Sequence, residues 1–313
     1  MSNPIADLSY RGYDGPLSKP GRAWWVIARN MILLALKKKG IYVVMGLAAW
    51  YYLVMIIVLF FAQQVLTSSP MPDGVMKAFL ERLVWKDQFL HGFSYAQLPL
   101  LIVSLMLGSG AIANDNRANA MLVYLSKPVS RAEYLFGKWL GIALPVFLVL
   151  FVPTILFYGY GAASFREYGF LDDPWVLPNM MVLIPIAAAF HASLVLGISS
   201  LFNQGQTAGA SYAALYFVTN FFTVGMGGAW MSSRGNAPEV VKYLFYGSID
   251  GVLIGTCKAL LRTDGTAPFG IVSRNAVKSI PAPPLWPVLG IALAISALFL
   301  FIAWRRVRAV EVV

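Results

Sequence analysis

The chain has 313 residues, of which 58% are hydrophobic and only 12% are charged, and its mean hydropathy is +0.68. A soluble core could not bury this much apolar surface, so the composition excludes a soluble protein and predicts an all-α polytopic membrane protein. The net charge of +10 comes from basic residues that cluster beside apolar segments, which indicates contact with membrane lipid headgroups and argues against nucleic acid as a partner.

The first forty residues are predicted to lie outside the membrane-spanning part. Residues 1–20 are rich in proline and glycine, which favours an irregular cytoplasmic arm. In the stretch 22–39, apolar side chains recur at steps of three and four residues, and three lysines, Lys37, Lys38 and Lys39, close it. This pattern is typical of a helix that lies in the membrane interface. A plain extension of the first span is the alternative.

Six transmembrane helices are predicted in a domain that covers residues 41–304. Each apolar segment is long enough to cross a hydrocarbon core of roughly 30 Å at about 1.5 Å per residue. Span three contains Pro145 and Pro153, which predict local bends. The short link 203–206 makes spans four and five antiparallel neighbours, and Gly205 and Gly209 would allow a close approach there. The predicted spans are 41–62, 95–113, 139–163, 175–202, 207–231 and 285–304.

The long segment between spans five and six is neither a clean loop nor a clean span. Its stretch 243–260 is apolar, but Asp250 and Lys258 would each cost about 2.5–3.5 kcal/mol at the middle of a bilayer. The stretch is therefore predicted to be an interfacial or re-entrant helix on the outer side, and Cys257 is expected to lie there.

The distribution of basic residues predicts the orientation of the chain. Lysine and arginine are more frequent in the segments that this order places inside, above all next to the first and the last span. Both termini, including the tail 305–313, are therefore expected to be cytoplasmic.

The segment between spans two and three, residues 113–140, is the most informative part of the chain. It reads ANDNRANAMLVYLSKPVSRAEYLFGKWL and divides at Pro128. Before the proline, residues 121–125 form a short helical segment with an apolar side. After it, Ser130 and Glu133 have the spacing of a capping box, so a helix is expected to begin there and to run into span three.

This segment resembles the first cytoplasmic loop of type-2 ABC transporter permeases. In that family the loop is a coupling helix that touches a separate ATPase subunit, and the resemblance implies the same contact here. The resemblance assigns an apolar contact to Leu122, Leu125 and Val129, and charged contacts at its rim to Lys127 and Arg131. An ordinary solvated loop with a good cap is the alternative interpretation.

No nucleotide or metal site is expected on this chain. Gly137 and Lys138 resemble the end of a phosphate-binding loop, but Ala132 and Trp139 stand where such a loop needs Gly and Ser or Thr. ATP and magnesium are therefore expected on the partner ATPase. Two histidines and one cysteine are too few for a zinc cluster of Cys and His ligands or for an internal disulfide.

One ionisable residue, His191, falls near the middle of a predicted span, where such groups are functional candidates. Asn220 in span five is its candidate hydrogen-bonding partner. The alternative is a neutral His191 that bonds across helices to Ser193 or to a nearby carbonyl group.

The resemblance implies the permease subunit of an ATP-driven exporter in the cytoplasmic (inner) membrane, paired with a second permease copy or a paralogue. An ion-coupled carrier or a membrane-embedded enzyme is the alternative, but either would need several acidic or histidine groups inside the bilayer. The cargo stays open, and the near absence of charge in the spans favours an amphipathic or apolar one.

Overall fold

The computed structural model describes residues 22–68, 74–118, 129–233, 238–265 and 280–307. Within these ranges the regular elements are helices, with a single 3₁₀ turn at Arg166–Tyr168. The helices are α1 (Ala23–Leu36), α2 (Lys39–Ser68), α3 (Gly74–Arg82), α4 (Trp85–Tyr95), α5 (Gln97–Gly108), α6 (Ala113–Arg117), α7 (Arg131–Ser164), α8 (Val176–Ser199), α9 (Gly205–Ser232), α10 (Glu239–Leu244), α11 (Ile249–Leu261) and α12 (Leu285–Arg306).

Five helical segments of the described chain are long and apolar enough to cross a membrane. They are Lys39–Gln64, Trp85–Arg117, Arg131–Ser164, Val176–Ser199 and Leu285–Arg306. The second of them comprises α4, α5 and α6, and it begins well before the predicted residue 95. Helix α9 corresponds to the predicted span 207–231 and has 28 residues, but its glycine and hydroxyl side chains make it less apolar than the other five.

Helices α7 and α8 form the centre of the bundle. Helix α8 is buried along most of its length and packs against α5, α7, α9 and α12. Its close contact with α12 depends on Gly197, where a Cβ atom would lie 2.6 Å from the carbonyl oxygen of Phe299. Pro145 and Pro153 both lie within the continuous helix α7.

Helix α1 is separate from the first span and packs closely on α7. It ends at Leu36, and α2 begins at Lys39. The contact with α7 uses Gly137 and Gly141, because a Cβ atom at Gly137 would lie 2.6 Å from the backbone oxygen of Trp24. This four-residue spacing of small side chains is a common way for two helices in a membrane to approach each other.

The stretch 243–260 includes the end of α10, a break in the helix and most of α11. Helix α11 packs against α4, α8, α9 and α12, so it is an inner element of the bundle. Its two charged residues have partners: Asp250 accepts hydrogen bonds from Tyr216 and Asn220, and Lys258 donates to the carbonyl oxygen of Ile280 at 2.9 Å. These bonds offset part of the cost of burying both charges, although the Oδ1 atom of Asp250 is buried without a hydrogen bond to any of the described residues.

The lone cysteine is expected to be unreactive in the folded protein. Cys257 on α11 has no exposed surface, and burial raises the pKa of its thiol. Since the thiolate is the reactive form, an impermeant maleimide should label Cys257 poorly in intact membranes from either side and fully after unfolding in detergent. Labelling is measured by mass spectrometry, and rapid labelling of Cys257 in the folded protein would contradict this packing.

Candidate coupling site

The structure describes part of the segment that the sequence singles out for coupling. Leu122, Leu125 and Lys127 lie outside the described residues. Val129 is half-buried against the core of the bundle, and Arg131 is exposed at the first turn of α7. Of the five residues predicted to contact the ATPase, the structure therefore describes only Val129 and Arg131.

Ser130 and Glu133 form a reciprocal capping box at the start of α7. The backbone N–H of Glu133 donates to the Ser130 hydroxyl at 3.2 Å, and the backbone N–H of Ser130 donates to the Glu133 carboxylate at 2.9 Å. These bonds satisfy amides that would otherwise lack a partner in the helix. The cap fixes the residue at which the loop ends and α7 begins.

Helix α6, which precedes the loop, is joined to α7 by Asp115. Its carboxylate accepts a hydrogen bond from the Tyr134 hydroxyl at 2.6 Å and forms an ion pair with Lys138 at 2.8 Å. The side chain of Lys138 is only 9% exposed, so the lysine depends on this partner. Gly137 and Lys138 thus serve helix packing and an ion pair, and neither belongs to a phosphate-binding loop.

The start of α6 is also joined to the end of α8 through one hydroxyl group. Ser199 accepts from the backbone N–H groups of Ile112 and Ala113, at 3.0 and 3.1 Å, and donates to the carbonyl oxygen of Ser109 at 2.8 Å. Since Ser199 is fully buried, water cannot replace these bonds. The turn that leads into α6 is therefore held by the end of α8.

Two amide side chains join α6 to the link between α8 and α9. Asn116 donates to the carbonyl oxygen of Phe202 at 3.2 Å, and Asn114 accepts from the backbone N–H of Gly205 at 3.2 Å. The α-carbon of Gly110 lies 3.0 Å from where a Cβ atom at Gly205 would be. Together with Asp115 and Ser199, these contacts connect α6 to α7, α8 and α9, and we call this set the α6 anchor.

The structure does not pair His191 with Asn220. The Nδ1 atom of His191 lies 2.8 Å from the Tyr212 hydroxyl, whereas Asn220 donates to Asp250. The alternative partner, Ser193, is also engaged elsewhere, because it accepts from the indole N–H of Trp139 and donates to a carbonyl oxygen in its own helix. Neither Asn220 nor Ser193 is therefore the partner of His191, but the hydrogen bond across helices that the alternative predicted does form, with Tyr212 on α9.

Several polar residues of these sites were missed at the sequence level. Asp115, Tyr134 and Ser199 carry the α6 anchor, and Tyr216 binds Asp250. A sequence signal exists for part of this, because Tyr212, Tyr216, Asn220 and Thr223 recur at helical spacing along one face of α9. Among the described residues, no group of three or more His, Cys, Asp or Glu side chains could hold a metal ion.

His191 is expected to have a structural role. Because its hydrogen bond joins α8 to α9, His191→Asn should retain most of the transport activity, since an amide can also bond to the Tyr212 hydroxyl. Tyr212→Phe is the matched variant that removes the other partner of the same bond. Normal protein levels with complete loss of transport in His191→Asn would show that the imidazole is needed for more than this bond.

Comparison with known proteins supports a transport role. The protein-family model described as "ABC-2 family transporter protein" matches residues 50–304 of the chain. The chain is also similar to a probable ABC transporter permease protein, NosY, of Stutzerimonas stutzeri. The two sequences are 22% identical over 223 residues, which are 68% of this chain and 78% of that protein. The family match over residues 50–304 includes α4 to α9 and therefore the whole α6 anchor.

Proposed function

Because the chain belongs to the ABC-2 family of transporter proteins, we propose that it is the membrane-spanning half of an exporter that a separate ATPase subunit drives with ATP and magnesium. The family match over residues 50–304 carries this proposal. The chain is an integral membrane permease. We assign no catalytic activity to it and assign ATP hydrolysis to the partner.

In this proposal the loop between α6 and α7 is the surface that contacts the ATPase. The α6 anchor supports it mechanically, since one end of the loop is joined to α7, α8 and α9 and the other end is the capped start of α7. A displacement of the loop would therefore reach three helices that extend into the bundle. Leu122, Leu125 and Val129 supply the apolar contact, and Lys127 and Arg131 supply charge at its rim.

In this proposal the protein crosses the cytoplasmic (inner) membrane six times, and both of its termini lie in the cytoplasm. Helix α9 is the remaining span, because its buried face packs against α8 and its opposite face exposes Phe217, Val218 and Phe221. Such an apolar face requires lipid or a second permease copy to cover it. We propose that two copies, or one copy and a paralogue, form the translocation path.

The coupling assignment is tested by Leu125→Asp and Val129→Asp, each produced together with the ATPase. A carboxylate in an apolar protein contact is costly to desolvate, so both variants should insert into the membrane but lose the ATPase on affinity purification, by roughly tenfold or more. Val240→Asp places the same change on an apolar side chain that is 57% exposed and distant in sequence, and it should retain the ATPase. Wild-type association and transport in both loop variants would refute the assignment.

A further inference from the structure

A cavity of about 600 Å³ lies beside the α6 anchor, between α1, the end of α5, the start of α7 and the start of α9. Its lining combines apolar and polar residues. The apolar part, here called the apolar wall, consists of Met31, Leu34, Ala35, Met106 and Leu107. The polar part, here called the polar wall, carries basic and amide groups from Lys38, Asn114, Arg117, Lys138, Gln204 and Gln206. Asn114 and Lys138 of the α6 anchor line this cavity, whereas Val129 and Arg131 of the proposed coupling contact do not.

The polar wall has an excess of positive charge. Lys138 is neutralised by Asp115, but in the described part of the chain neither Lys38 nor Arg117 has a carboxylate within ion-pair distance. Lys38 instead donates to the carbonyl oxygen of Met106 at 3.3 Å, which holds its ammonium group at the cavity. The first turn of α9 adds the partial positive charge of a helix N-terminus, since Gly205 and Gln206 also line the cavity.

This combination selects a particular class of ligand. Two cations and a helix N-terminus attract a phosphate group, and basic pockets between membrane helices are known to hold anionic headgroups. The apolar wall includes Leu34 of α1, which is 52% exposed, and the neighbouring Leu33 and Leu36, outside the cavity, are 47% and 43% exposed, so α1 can contact acyl chains. A freely soluble phosphate compound would leave that wall without a partner.

We propose that this cavity is a binding site for the phosphate group of an anionic phospholipid, with Lys38 and Arg117 as its charged contacts and α1 as the support for an acyl chain. The site would fix α1 and the start of α9 to the membrane at the same end of the bundle as the α6 anchor. It depends on the described contacts and is independent of whether an ATPase binds the loop.

The proposal is tested on the full chain purified in detergent, with lipid binding measured by native mass spectrometry and by the rise in melting temperature. Phosphatidylglycerol should bind better than phosphatidylcholine with the same acyl chains. At about 1 kcal/mol for each basic residue near a lipid surface, Lys38→Gln/Arg117→Gln should weaken phosphatidylglycerol binding roughly 30-fold. Lys37→Gln/Lys39→Gln is the matched control, because it removes two exposed neighbouring charges that do not line the cavity.

A second variant separates a lipid from a soluble phosphate compound. Leu34→Asn leaves every charge in place but makes the acyl wall polar, so it should weaken phosphatidylglycerol binding, and glycerol phosphate should not compete with the lipid at equal concentration. Competition by glycerol phosphate at equal concentration would overturn the lipid assignment. Equal losses in the Lys37/Lys39 control, or equal binding of the two lipids, would overturn the site itself.

Discussion

Asp115→Asn should destabilise the protein strongly, because it leaves the ammonium group of Lys138 buried without a countercharge. The ion pair has an N–O distance of 2.8 Å, and the two side chains are only 9% and 19% exposed. Breaking such a pair by removing one partner costs about 3–5 kcal/mol, most of which is the desolvation of the charge that remains. The melting temperature of the purified permease in detergent is the measurement.

The chain supplies a matched control for this experiment. Lys77 and Glu81 also form an ion pair, but their distance is 3.9 Å and their side chains are 60% and 57% exposed. Glu81→Gln should therefore cost less than about 1 kcal/mol. The double variant Asp115→Asn/Lys138→Met should recover most of the lost stability, since no buried charge remains. Equal melting temperatures for Asp115→Asn and Glu81→Gln would contradict the role assigned to Asp115.

The features that the sequence predicted correctly are determined by neighbouring residues. The capping box needs only Ser130 and Glu133, three positions apart, and it forms as expected. The helical character of the apolar segments follows from hydropathy, because a backbone in lipid must satisfy its own hydrogen bonds. Gly205 and Gly209 also allow a close approach, but not to α8 as predicted: a Cβ atom at Gly205 would meet the backbone of Gly110, and one at Gly209 would meet the side chain of Ser109, both just after α5.

The features that escaped prediction join residues that are far apart in the chain. Ser199 is separated from Ile112 by 87 positions, and no local pattern shows which serine hydroxyl will meet which amide. The sequence pointed to the correct helix for His191, because Asn220 and Tyr212 both lie on α9, but it could not show which residue of that helix meets the imidazole, and the observed partner is Tyr212.

Asp250 illustrates another limit of sequence-based prediction, which concerns the free-energy cost of burying a charge. An isolated carboxylate in a bilayer is expensive, and on that basis the sequence argued for an interfacial or re-entrant helix. In the structure Tyr216 and Asn220 donate to Asp250, and α11, a helix of 13 residues, packs inside the bundle. A re-entrant helix can also pack in this way, so that assignment stays a prediction. Whether a buried charge is tolerated depends on partners that only the tertiary arrangement reveals.

Ser199→Ala should loosen the α6 anchor more than the loss of a single hydroxyl would suggest. The substitution removes one side-chain oxygen but leaves two buried backbone N–H groups, those of Ile112 and Ala113, without their acceptor, and Ser109 loses a donor. Each buried polar group left without a partner costs about 1–3 kcal/mol. Ser200→Ala is the matched control, because Ser200 is also buried but donates only to Gly197 in its own helix.

Hydrogen exchange of backbone amides distinguishes a local effect from general instability. In Ser199→Ala the amides of Ile112 and Ala113 should exchange about tenfold faster or more, because a loss of about 1.4 kcal/mol in local stability raises the open population tenfold. The middle of α8 should keep its protection, since its packing against α7 and α12 is unchanged. In the exporter proposed above, loosening α6 should also reduce the transport obtained for each ATP hydrolysed, since the loop would then move without moving α8. Unchanged exchange at Ile112 and Ala113 would mean that Ser199 does not hold the turn before α6, and coupling through α8 would then require a different contact.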